Sequence, residues 1–88
     1  MELPGSDLVE EGLADLQRGE MSIASLLVSI GRPRLVACGM KVPQPLVSDP
    51  ETTLYEILAA EHGDDAHSRY NALIRTLVSY ERALECAS

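Results

Sequence analysis

The stretch Ser22-Ile23-Ala24-Ser25-Leu26-Leu27-Val28-Ser29-Ile30-Gly31 carries no charge, in a chain where 24% of residues are charged. Ser is a strong helix N-cap, and Gly often closes a helix. The apolar spacing between the two predicts a helix over about 22–30. Ile23, Leu26, Leu27 and Ile30 make one apolar face. Ala24, Ser25, Val28 and Ser29 make a second, narrower one. A helix without charge on any side is buried on most sides. This segment is therefore expected at the centre of the fold. Small side chains also let helices approach closely, so Ala24, Ser25, Val28 and Ser29 are the alternative place for a homodimer or partner interface.

Helices are expected on both sides of it. The first covers about 7–18, with Asp7 and Glu10 as a capping box. Its apolar face is Leu8, Val9, Gly12, Leu13 and Leu16, with Glu10, Glu11, Asp15 and Arg18 elsewhere on the surface. Gly12 costs roughly 1 kcal/mol relative to Ala in a helix. Its place on the apolar face implies that another backbone passes close by. After Gly31, a short helix is expected over about 33–38, opened by Pro33 and closed by Gly39. Met40 then stands where an apolar contact often accompanies such a cap. Residues 40–48 read as a loop that Pro43-Gln44-Pro45 keeps extended, with Val42, Leu46 and Val47 pinning it to the core.

The next helix covers about 50–61. It is capped either by Ser48 with Glu51 or by Asp49 with Pro50 at the first position. Gly63 ends it. The last helix runs over about 65–86, some 33 Å, with the stripe Ala66, Tyr70, Leu73, Ile74, Leu77, Val78 and Leu84. Asp65 and Arg69 stand in the favourable order for an ion pair. No two-residue alternation marks a strand, and no repeat is present. The expected fold class is all-α: one domain over 1–88, a compact bundle of about five helices, one of them short. The second helix is central, and the last two form an αα-hairpin.

With no Phe or Trp and only three Tyr, the core must be aliphatic. The net charge of −7 weighs against a general binder of nucleic acids or anionic membranes. Charge is also segregated. Residues 21–48 hold Arg32, Arg34 and Lys41 and no acid, whereas residues 49–65 hold six acids and no base. Met1-Glu2-Leu3-Pro4-Gly5 does not read as a secretory leader, and no uncharged run is long enough to span a bilayer. Cys38 and Cys86 match no metal or redox spacing. Together these point to a cytoplasmic protein with no membrane association and no cofactor.

No catalytic motif is present: there is no Gly-x-Ser-x-Gly, phosphate-binding loop or dinucleotide fingerprint. Cys86, near the C-terminus, has no base placed beside it by sequence. Three clusters bear on function. His62, Asp64, Asp65 and His67 are metal-ligand types, but the His pair is five apart across a glycine, unlike the three-or-four spacing of one helical face. Ser68, Asn71, Arg75 and Arg82 recur at helical spacing as a polar stripe on the last helix. Arg and Asn suit base edges, which raises a helix-turn-helix binder of nucleic acid as one alternative. Arg32, Arg34 and Lys41 form a basic island suited to an anion or to acids of the first or fourth predicted helix. The expected function is a non-enzymatic protein-interaction or regulatory module that self-associates. Its interaction surfaces are the small-residue face of the second helix and the stripe on the last. A metal site at 62–67 is the third possibility.

Overall fold

The computed structural model describes residues 5–87. The chain folds into α1 (Ser6–Gln17), α2 (Ile23–Ala37), α3 (Pro50–His62), a 3-10 turn (Gly63–Asp65) and α4 (Ala66–Ala87), with no strand among the described residues. The molecule measures 38 × 25 × 19 Å. Among the described residues, no helix is long and apolar enough to cross a membrane. The all-α class holds. Five separate helices do not: α3, the 3-10 turn and α4 follow one another without a gap, leaving three helical stretches among the described residues, although Gly63, with φ +57°, ends α3 as expected.

The count falls because the predicted second and third helices are one. Gly31 does not stop α2, and Pro33 lies inside it. Proline in a helix interior removes the hydrogen bond to the carbonyl four residues back, at a cost of about 3 kcal/mol. Burial on both sides of that point offsets this. Leu26, Leu27 and Leu35 are all essentially inaccessible to water, and each such burial contributes about 1.5–3 kcal/mol. Gly31 has a packing role instead. A Cβ there would lie 2.8 Å from Leu77 Cδ1 and 3.0 Å from Glu81 Oε2, so the missing side chain lets α4 press against α2.

Helix α2 divides the interior into two clusters. Val28 and Leu35 join Val9 and Leu16 of α1, Val42 and Tyr80 on one side. Leu26 and Leu27 join Leu54, Leu58, Ala66 and Leu77 on the other. The expectation of a central second helix therefore matches its packing. The same packing corrects the alternative for its narrow face. Ala24, Ser25, Val28 and Ser29 are all buried within the chain, so they offer no free surface for a partner.

The contact between α1 and α2 is close because Gly12 faces Ala24. A Cβ on Gly12 would fall 2.3 Å from the Ala24 carbonyl oxygen and 2.5 Å from Val28 Cγ2. Both helices then end in the same way. The Gly19 N–H donates to the Leu16 carbonyl at 3.1 Å, and the Glu20 N–H donates to the Asp15 carbonyl at 2.8 Å. At the end of α2, the Gly39 N–H donates to Val36 and the Met40 N–H to Leu35. Gly19 and Gly39 take the left-handed backbone that this paired cap requires. Met40 packs beside Leu35, as expected from its position.

The helix starts are only partly as expected. Asp49 caps α3, accepting from the Thr52 N–H at 3.2 Å and the Thr52 hydroxyl at 2.7 Å, with Pro50 first in the helix. Those bonds hold its carboxyl below the ordinary carboxylate range. Asp7 and Glu10 form no capping box, because α1 begins at Ser6 behind Gly5. Gly5 is seated against α4, where a Cβ would meet Thr76 Cγ2 at 2.8 Å. Asp65 lies in the 3-10 turn, before α4 begins, and makes no ion pair with Arg69.

Gly12→Ala tests the close approach of α1 and α2. Ala is the better helix former, yet the clash with the Ala24 backbone should lower unfolding stability by about 1–3 kcal/mol in urea melts. An unchanged or raised midpoint would contradict the geometry.

Candidate interaction surfaces

Among the described residues, two acids, Asp15 and Glu81, lie in the interior. Asp15 is 6% exposed rather than superficial. It accepts from the Ser22 hydroxyl at 2.6 Å and pairs with Arg18. Ser22 in turn caps α2, accepting from the Ser25 N–H at 3.1 Å, while its own N–H donates to the Ser25 hydroxyl at 2.8 Å. A single chain of hydrogen bonds thus ties the end of α1 to the start of α2. The Ser29 hydroxyl satisfies itself on the Ser25 carbonyl at 2.8 Å. Every polar side chain of the small-residue face of α2 therefore has a partner inside the fold.

Glu81 is 3% exposed and lies between α4 and Gly31 of α2. Burial pushes its carboxyl above the ordinary Glu range. Arg34 opposes that shift, and Glu85 adds to it. The Arg34 guanidinium reaches Glu81 at only 3.6 Å, while its other amino group meets Glu85 at 2.6 Å. The hydrogen bond to Glu85, followed by the charges of Glu85 and Glu81, raises the Arg34 pKa. The basic island is thereby divided. Arg34 pairs with acids of α4, not with those of α1 or α3. Arg32 Nε donates to the Val42 and Pro43 carbonyls, each at 3.2 Å. Lys41 is exposed and makes no ion pair among the described residues.

The inward turn of Glu81 determines the outer face of α4. From Ala66 to Leu84 this helix shows no carboxylate to solvent, because Glu81 is its only acid there. Ser68, Arg69, Arg75 and Arg82 are exposed, and Asn71 is half-buried. The three arginines form no ion pair among the described residues. The expected stripe of Ser68, Asn71, Arg75 and Arg82 is thus a surface of one helix, whereas Arg69 stands on its flank, lining a hollow with Ile23, Leu58 and His62. Acids lie exposed on α3 at Glu51, Glu56 and Glu61, and at Asp64 and Asp65 in the turn.

The histidine cluster does not converge. His62 lies 3.9 Å from Glu61, and His67 meets Asn71 at 3.2 Å. No three His, Cys, Asp or Glu residues among those described are grouped to hold a metal ion. Cys38 is half-buried at the end of α2, and Cys86 is exposed near the end of α4. No protein-family model matches the chain, and no curated protein or solved structure is significantly similar to it.

The buried Glu81 makes a pH signature. A carboxyl that binds its proton more tightly in the folded chain than in the unfolded one penalises the fold as pH rises above the ordinary Glu range. Below that range both states are protonated and the penalty is absent. Glu81→Gln removes the titration while keeping the shape. The stability of this variant relative to the wild type should rise with pH, from about pH 4.5 upward, in a series of urea melts. A difference that is flat with pH, or that falls, would show that Arg34 fully offsets the burial.

Proposed function

We propose that this chain is a non-enzymatic protein-interaction module that docks acidic protein surfaces on the outer face of α4. The observation that carries this reading is the pair of unpaired arginines, Arg75 and Arg82, on the outer face of a helix whose acids face Arg34. In a chain of net charge −7, a surface without carboxylates is a local reversal of sign. Such a surface steers an oppositely charged partner and sets its orientation more than it adds raw affinity. A second copy of the chain is one acidic partner at hand, since its α3 exposes Glu51, Glu56 and Glu61. Self-association is therefore retained, but moved from the small-residue face of α2 to charged outer faces.

A nucleic acid is the second ligand that an acid-free, Arg-bearing helix face supports. Phosphate contacts dominate such binding and make it salt-dependent. The exposed acids of the adjoining turn and α3 weigh against it. It calls for retardation of DNA or RNA at low salt that is lost on Arg75→Ala.

The joint variant Arg75→Glu with Arg82→Glu tests the main proposal. Both positions are exposed, so the fold should be retained by circular dichroism. Light scattering of the wild type should show a dimer that dissociates with added salt, and the variant should be monomeric under all conditions. Affinity capture from lysate should lose at least one partner with the same variant. A strictly monomeric wild type at high concentration would remove self-association. Capture that the variant leaves unchanged would remove α4 as the docking face.

A further inference from the structure

Chain reversal at Gly39 sends residues 40–43 back alongside α2 as an extended strap. Two contacts fix it there. Arg32 Nε holds the Val42 and Pro43 carbonyls at 3.2 Å each, and the Tyr80 hydroxyl meets the Met40 sulfur at 3.7 Å. Between the strap, the end of α1 and the side of α2 lies an open groove of about 490 Å³. Gln17, Arg32, Val36, Met40, Lys41 and Pro43 line it.

Its chemistry is consistent along its length. Val36 is 44% exposed, and Met40 and Pro43 extend the apolar floor. Arg32 uses only Nε on the strap, so its two amino groups have no hydrogen-bond partner among the described residues. Lys41 adds an unpaired ammonium, and Gln17 an uncharged amide. No acid lines the groove, although acids outnumber bases by two to one in the chain. An Arg fork left half-used next to a lysine is suited to a carboxylate, and the exposed valine beside it to an aliphatic side chain.

We infer that this groove docks an extended acidic segment of a partner protein, one in which Asp or Glu stands two positions from an aliphatic residue, so that both point to the same side. The aliphatic side chains lie on Val36 and Met40. The carboxylates meet the free amino groups of Arg32 and the ammonium of Lys41. The pinned strap needs no rearrangement to receive the segment, which lowers the ordering cost of binding. The site shares no residue with the outer face of α4 and does not depend on it.

The test is an NMR titration of the full chain with the acetylated, amidated hexapeptide Leu-Leu-Glu-Glu-Leu-Leu, in which each face carries both Leu and Glu. The same hexapeptide with Gln in place of Glu is the control. Saturable shifts at Val36, Met40 and Lys41 are expected with the Glu peptide only. Lys41→Glu and Val36→Ser, both at exposed positions, should each weaken binding about fivefold or more. Four results would overturn the inference: no shifts, equal shifts with the Gln peptide, shifts confined to α4, or unchanged affinity in the Lys41→Glu variant.

Discussion

The structure depends on how closely α1 can approach α2. Gly12 lets the Ala24 carbonyl lie where a side chain would otherwise stand. That approach brings Val9 and Leu16 onto Val28, and it carries Asp15 to the Ser22 hydroxyl that caps α2. With one side of α2 sealed by α1, the other is left for α3 and α4. The helix then serves two clusters at once, which is why its segment from Ile23 to Gly31 is apolar or small on every side. A second glycine, Gly31, repeats the device against α4. Both positions cost helix propensity, and both recover it as packing.

Close packing also decides where charge goes. Two carboxylates lie inside, and each is met by a particular partner: Asp15 by Ser22 and Arg18, Glu81 by Arg34. Taking Glu81 out of the solvent-facing surface leaves α4 with no carboxylate outward from Ala66 to Leu84. Taking Arg34 toward α4 leaves Arg32 and Lys41 as the basic edge of the groove behind the strap. The surface pattern proposed to carry function is thus a by-product of which charged residues the core absorbs.

Much of this was legible in the residues themselves. The charge-free segment 22–31 announced a central helix, Gly12 a close backbone, Asp49-Pro50 the start of α3, and Gly39-Met40 the end of α2. Local signals failed where tertiary packing outweighed them. Gly31 and Pro33 have the chemistry of a stop and a start, yet burial on both sides keeps the helix running through them. Asp7 has the chemistry of a cap, but Gly5 seated on α4 sets the start of α1. Glu81 was missed, although a signal existed. It stands four residues after Leu77 and three before Leu84, on the very stripe that faces the core. Arg34 as its partner, 47 positions earlier in the chain, follows from no local pattern. The groove was equally hidden, because it exists only once the strap folds back along α2.

The central claim is that α2 is buried by the chain's own helices and not by a second copy. Native-state hydrogen exchange at high and low protein concentration tests this directly. Amides of α2 from Leu26 to Leu35 should be among the most protected in the molecule, with protection unchanged on dilution. Protection of α2 that falls as the protein is diluted would contradict the account, because it would mean that association between chains, rather than α1, α3 and α4, covers this helix.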